Sequence, residues 1–283
     1  MRSEIGNRLS AIQKNAIFVG YENFQKNHSL KYPSSNIPHP TSMTKILNYL
    51  WRGWMVILGA VLTIVLGIPV LILSIRKEHY KYAYKFIRIW CFGMFYGMGF
   101  RYELIKLSQK KIDKNRQYVF ISNHTSLMDV MLPCILMPNH PLCYVGKKEL
   151  VKIPIFGTIY KRICVMVDRS SAKSRADVYR RCAERMQEGE SIVIFPEGGV
   201  PDDTSVILDQ FKDGAFILSS KHHAPIAVFT FVGLKKMFPF DHSKGFPGKV
   251  KVYFNDILEP GKTTHELKEI AHHEIKKVLE NSI

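Results

Sequence analysis

The sequence predicts an α/β domain whose sheet is largely parallel or mixed and flanked by helices, behind an N-terminal membrane helix and an interfacial or re-entrant helix. Three observations carry this expectation. From Phe100 onward, strand-like and helix-like segments alternate along the chain, as in a sheet wound with crossover helices. Ahead of them "WMVILGAVLTIVLGIPVLILSI", Trp54 to Ile75, holds no charged residue and as a helix reaches roughly 30 Å, the thickness of a bilayer core. A second apolar run, "IRIWCFGMFYGMGF" from Ile87 to Phe100, is short for a span and rich in aromatics and glycine, which suits a helix at the membrane interface beside the first.

Taken in order, residues 1–50 form an N-terminal extension. Ile5, Leu9, Ile12 and Ala16 fall at the spacing of a short amphipathic helix, and the Pro- and Ser-rich stretch 29–42 reads as a linker. Residues 51–100 are the membrane-anchoring segment. Arg52 flanks the long apolar run on one side, and Arg76 and Lys77 on the other, so basic residues give no clean orientation. Residues 101–283 are the expected α/β domain.

Within that domain "FRYELIKL", "YVFIS", "LCYVGK", "ICVMVDR", "SIVIFPEG", "PIAVFTFVG" and "KVKVYFNDI" read as strands. The intervening "SLMDVMLPCILM", "IPIFGTIYKR", "SAKSRADVYRRCAERMQEG" and "DGAFILSSKHH" read as helices. The chain closes on an amphipathic helix opened by a Thr263/Glu266 capping box. Catalytic groups in such sheets gather at the carboxyl ends of strands. His124 follows one strand, Arg169 another and Glu197 a third, so a single edge is expected to hold all three.

Composition narrows the function classes. Forty Lys and Arg against 24 Asp and Glu give a net charge of +16 in 283 residues, which implies a polyanionic partner: an anionic lipid surface, a phosphate-bearing substrate or nucleic acid. Basic and aromatic residues interleave around the membrane run, and no nucleic-acid-binding motif is present, so nucleic acid is not the expected partner. The five cysteines are scattered without any C-x-x-C spacing, which fits small buried side chains in a reducing compartment and offers no zinc framework. No metal site is expected.

Two motifs carry chemistry. "ISNHTSLMDVML", residues 121–132, sets His124 and Asp129 five positions apart at a strand-to-helix junction. If Asp129 accepts a hydrogen bond from one ring nitrogen, the other nitrogen can take a proton from a hydroxyl. The competing reading makes Ser126 a helix cap, with Asp129 favouring the helix dipole and His124 incidental. "FPEGG", 195–199, is a strand-to-turn junction in which Glu197 can bind a hydroxyl and Gly198 and Gly199 can turn backbone N–H groups toward an anion. Arg169, with Lys173 and Arg175 nearby, is a guanidinium suited to phosphate.

These blocks, in this order, resemble the glycerolipid acyltransferase family. "NHTSLMD" is similar to its N-H-x-x-x-x-D block, and "GKKELVKIPIFGTIYKRICVMVDRS" to a second block that ends in an Arg shortly after a strand. "FPEGG" resembles the third block and "APIAVFTFVG" the fourth, with "FKDGAF", 211–216, between them. The resemblance covers about residues 85–260 and is closest to members that acylate 1-acylglycerol-3-phosphate. It implies His124 as general base with Asp129 as its partner. It also implies Arg169, Glu197 and Gly198 as substrate-binding residues, Gly157 as a residue that shapes the site, and Pro225 with the following strand as part of the acyl or acceptor pocket. One departure stands out: where the family continues F-P-E-G-T-R-S, this chain reads F-P-E-G-G-V-P-D-D.

The implied reaction is transfer of an acyl chain from acyl-CoA or acyl-carrier protein to lysophosphatidic acid, giving phosphatidic acid, with no cofactor beyond the donor. The implied location is the inner membrane, with the catalytic domain on the cytoplasmic side. The altered third motif leaves open another lysolipid acceptor, such as a lysophospholipid or lyso-ornithine lipid. A membrane-anchored, non-catalytic polyanion-binding protein is the alternative outside the enzymes.

Overall fold

A computed structural model describes residues 42–168, 171–200 and 205–282. The expected N-terminal amphipathic helix and most of the linker lie outside those residues, as do Arg169 and the segment 201–204.

The apolar run forms one continuous helix, α1 (Ser42–Leu73), with Pro69 inside it. By length and composition α1 can cross a membrane, and only 17% of its most apolar stretch is buried. Side chains such as Ile46, Leu50, Ile57, Val61 and Ile68 remain exposed. The second apolar run belongs to α2 (Tyr80–Gly97), which packs along α1. Gly93 and Gly97, one turn apart, let the helices approach closely: a methyl on either Cα would come within 2.8 Å of Leu62 or 2.6 Å of Leu58. Arg52, placed by the sequence at the flank of the run, instead lies within α1 and is buried. It stacks 3.5 Å from the Phe238 ring centroid and donates to the Pro239 and Lys244 carbonyls at 2.6 and 3.1 Å. Asn48 bonds the Ser243 carbonyl near one end of α1, and Arg162 bonds the Leu71 carbonyl near the other.

The alternating segments build a seven-stranded sheet. Its strands are β1 (Arg101–Lys106), β2 (Val119–Ile121), β3 (Leu142–Lys147), β4 (Cys164–Val167), β5 (Ser191–Ile194), β6 (Ile226–Val232) and β7 (Lys249–Leu258). Their spatial order is β1-β7-β6-β2-β5-β3-β4. The β6–β7 pair is antiparallel and the other pairs are parallel, so the sheet is mixed. The helices after α2 are α3 (Met131–Leu136), α4 (Phe156–Ile163), α5 (Ala172–Gln187), α6 (Gly214–His222), α7 (Leu234–Met237) and α8 (Thr264–Glu280). The Thr263/Glu266 capping box opens α8 as expected.

Period-two alternation divides the strand residues between two cores. Phe120, Val193, Ala227 and Phe229 join Phe95, Leu132 and Phe100 on the α2–α3 side. Val119, Ile121, Ile192 and Val228 join Cys182, Phe216 and Ile275 on the α5–α6–α8 side. All five cysteines are free and buried.

The helix expected at "SLMDVMLPCILM" opens differently. Leu127–Val130 form a 3₁₀ turn that passes into α3. Pro133 has no N–H to complete an α-helical bond to the Asp129 carbonyl; Met131 N donates to the Met128 carbonyl, three residues back, as well as to that of Asp129, so the first turn is wound tighter.

Candidate active site

β2, β5 and β4 run parallel, so their carboxyl ends lie on one edge of the sheet. The chain leaves β2 through Ser122 and Asn123, both buried. Asn123 extends the ladder by one side-chain rung: its Nδ2 donates to the Phe231 carbonyl at 2.9 Å and its Oδ1 accepts from Phe231 N at 2.8 Å. This fixes where the next residue, His124, begins.

Asp129 is fully buried. Its Oδ2 accepts from Ser126 N at 2.7 Å and from Thr125 N at 2.5 Å, and lies 3.3 Å from His124 Nδ1. Its Oδ1 is buried with no hydrogen-bond partner among the described residues. Ser126 caps the 3₁₀ turn, accepting from Met128 N at 3.3 Å and donating through Oγ to the Phe238 carbonyl at 2.9 Å. The cap and the His124–Asp129 contact therefore occur together: the cap builds the turn, and the turn points the carboxylate at the imidazole. With Nδ1 facing Asp129, the tautomer that geometry assigns leaves Nε2 free as a base. The His124 side chain keeps 18% of its surface exposed, so the ring is reachable.

The turn after β5 meets the same histidine. Phe195 stacks on the imidazole, with ring centroids 4.3 Å apart and planes at 24°. Glu197 is buried; its Oε1 accepts from His124 N at 2.6 Å and its Oε2 from Asp209 N at 3.1 Å. Burial pushes the Glu197 carboxyl up to about 7, against the pull of the Asp209 and His124 backbone donors. Gly198 sits at φ +77° and donates its N–H to the Phe195 carbonyl at 3.0 Å, so that N–H closes the turn instead of facing outward. At the end of β4, Lys148 forms an ion pair with Asp168, and Asp168 N donates to Ser174 Oγ at 3.0 Å. Arg169 follows directly, outside the described residues.

The structure thus brings His124, Asp129 and Glu197 together, with Gly198 in the adjoining turn. Gly157 is required by a close approach: a methyl there would come within 2.0 Å of the Val151 carbonyl oxygen. Asn123 and Phe195 were not singled out by the sequence, although each adjoins or lies within a quoted motif. Among the described residues no group of three or more His, Cys, Asp or Glu is placed to hold a metal ion.

Residues 105–232 match the family model described as Acyltransferase, a stretch that contains both strand-end motifs. That stretch is similar to the acyltransferase family. Among curated relatives, a 1-acyl-sn-glycerol-3-phosphate acyltransferase of Helicobacter pylori is 30% identical over 145 residues, covering 50% of this chain and 60% of that protein. A chloroplastic protein of the same name from Brassica napus is 30% identical over 122 residues, covering 43% and 34%. The chain thus spans from about a third to 60% of the length of these relatives. Among solved structures, a 1-acyl-sn-glycerophosphate acyltransferase of Thermotoga maritima aligns with a TM-score of 0.70 at 23% identity, over 84% of this chain and 97% of that one. That likeness is one of fold, and it shows that the mixed sheet and the helices around it are the architecture this acyltransferase shares.

Proposed function

We propose that the protein transfers an acyl chain from acyl-CoA or acyl-carrier protein to the free hydroxyl of 1-acylglycerol-3-phosphate, giving phosphatidic acid. The observation that carries this reading is the reachable His124 imidazole backed by the buried Asp129 carboxylate, within the stretch that matches the Acyltransferase family model. His124 Nε2 removes the hydroxyl proton as the acceptor oxygen attacks the thioester carbonyl. The tetrahedral intermediate then collapses, the carbon–sulfur bond breaks, and the thiolate takes the proton back from the imidazolium. Asp129 stabilises that imidazolium and holds the tautomer. The step needs no cofactor beyond the donor thioester.

Arg169, Glu197 and Gly198 belong to the acceptor side in this reading. Arg169 clamps the phosphate, while Glu197 and Gly198 form the turn that frames it. Residues 51–100 anchor the protein and residues 101–283 form the catalytic domain. The exposed apolar face of α1 supports membrane association. Hydrogen bonds to the sheet domain near both ends of α1 favour a helix bedded along one face of the bilayer, because a helix that crossed would carry its two ends to opposite sides. With a cytosolic donor, that face is the cytoplasmic one.

The deciding experiment is an acyl-transfer assay with labelled acyl-CoA and lysophosphatidic acid on wild type and His124→Ala. Wild type should form phosphatidic acid, and the variant should lose about 10²–10⁴-fold or more in kcat, the worth of general-base help, while its melting temperature holds. Near wild-type turnover in His124→Ala would sink the base. The Gly199–Val200 departure favours, as a second reading, a different lysolipid acceptor; acylation of that lipid with lysophosphatidic acid ignored would replace the substrate. No turnover on any acceptor, with equal lipid binding by both proteins, would favour a polyanion-binding protein instead.

A further inference from the structure

We propose that Lys212 is a phosphate-binding residue of the acceptor site, beside a third motif that carries no cation of its own in this chain. It rests on the acyl-acceptor reading above. Gly199 and Val200 stand where the family carries a hydroxyl and a guanidinium, so the turn itself offers no charged donor. Lys212 reaches it from a distant part of the sequence. Its backbone N–H donates to the Pro196 carbonyl at 2.8 Å. Its side chain then crosses Gly198 so closely that a methyl on that Cα would come within 2.7 Å of Nζ. Glycine is needed here twice over, for the positive φ and for the passage of the lysine stem.

Two other lysines of this region are committed. Lys148 is paired with Asp168, and Lys235 donates to the Val206 carbonyl at 2.6 Å. Lys212 Nζ has no hydrogen bond or ion pair among the described residues, and its residue is exposed. An ammonium held over the turn next to Glu197, whose carboxylate bonds His124 N, borders the base. The acceptor's hydroxyl and phosphate are joined by a short glycerol backbone, whereas the phosphates of the donor lie a pantetheine arm from the thioester. A cation over the turn that Glu197 ties to His124 therefore fits the acceptor's phosphate. Lysine binds phosphate as a point charge without the bidentate fork of arginine.

The test measures KM for lysophosphatidic acid and, separately, KM for acyl-CoA on wild type, Lys212→Met and Lys212→Arg. Binding of sn-glycerol 3-phosphate to each full-length protein is measured in parallel. Lys212→Met should raise the acceptor KM about ten- to hundred-fold, as expected for losing a hydrogen bond to a charged group, and should weaken glycerol 3-phosphate binding by a similar factor. The donor KM should hold, and Lys212→Arg should recover most of the loss. An unchanged acceptor KM overturns the proposal, and so does a shift confined to the donor. If wild type turns over no lysophosphatidic acid, the substrate reading fails by itself. The binding arm still decides Lys212, which is overturned if glycerol 3-phosphate fails to bind wild type or binds Lys212→Met equally well.

Discussion

The loop after β2 and the turn after β5 meet at His124, yet they are held by different means. In the first, buried side chains lock each step of the backbone: Asn123 zips onto Phe231, Asp129 gathers the Thr125 and Ser126 N–H groups, and Ser126 bonds the Phe238 carbonyl. In the second, one buried carboxyl, Glu197, ties the turn to His124 and Asp209, while Asp209, Gln210 and Lys212 lie exposed. The base is thus preorganised by short, buried contacts, which is where positioning has most effect on rate. In the proposed reading the acceptor grip rests on the second turn, whose side chains have exposed ends and can change without disturbing the base. The departure from the family's third motif lies on that side.

The largest effect should come from breaking the locked loop at its charge while keeping its shape. Asp129→Asn can still present an oxygen to Thr125 N, Ser126 N and His124 Nδ1, but it cannot stabilise an imidazolium as a carboxylate does. A fall in kcat of about 10²–10⁴-fold is expected, with a modest loss of melting temperature because the amide nitrogen takes the unpartnered Oδ1 position. Asp129→Ala is the less informative change, since it also strands buried backbone donors at about 1–3 kcal/mol each. Near wild-type kcat in Asp129→Asn would reduce the loop to a helix cap.

A smaller effect is expected farther out. Phe238 is shared: its carbonyl receives Ser126 Oγ, and its ring carries the Arg52 guanidinium from α1. Arg52→Met keeps the stem but leaves the Pro239 and Lys244 carbonyls without that donor, so stability should fall by about 2 kcal/mol. Turnover should fall less than in Asp129→Asn. Arg52→Lys should restore only part of the stability, because an ammonium lacks the planar fork. Denaturation midpoints and kcat in detergent check both. Unchanged stability in Arg52→Met would mean that the locked loop does not extend to the membrane helix.

The sequence made the locked loop legible and the open turn only partly so. Alternation of apolar residues marked the strands around "YVFIS" and "SIVIF", and their parallel order brought His124 and Glu197 to one edge. A polar motif that lies within a few residues is readable because its geometry is set by one local turn, as with Ser126 and Asp129. Contacts closed by the fold leave no such trace. Asn123 meets Phe231, Lys212 crosses Gly198, and Arg52 reaches Phe238, each from a partner far along the chain. Arg52 looked like a flank of the apolar run for the same reason: only the tertiary structure shows the pocket that buries it. The 3₁₀ turn was obscured by a single missing donor at Pro133, which periodicity does not register.

The smallest expected effect is a change of slope, and it distinguishes the carboxyl of the open turn. Glu197 is raised from an ordinary value of 4.5 to about 7, chiefly by burial. Between those two pH values the folded protein holds a proton on Glu197 that the unfolded chain has released, so stability from this group falls as pH rises through the window. Glu197→Gln cannot titrate. Its amide must also turn an N–H toward one of the two backbone donors, His124 N or Asp209 N, so at low pH the variant should melt below wild type. As pH rises toward 7 the wild-type carboxyl takes on its desolvated charge and the gap between the two proteins should narrow. Melting temperatures of both proteins across this range are the measurement. Parallel profiles would mean that Glu197 stays ionised throughout and that its two backbone donors outweigh its burial, leaving the open turn held as firmly as the locked loop.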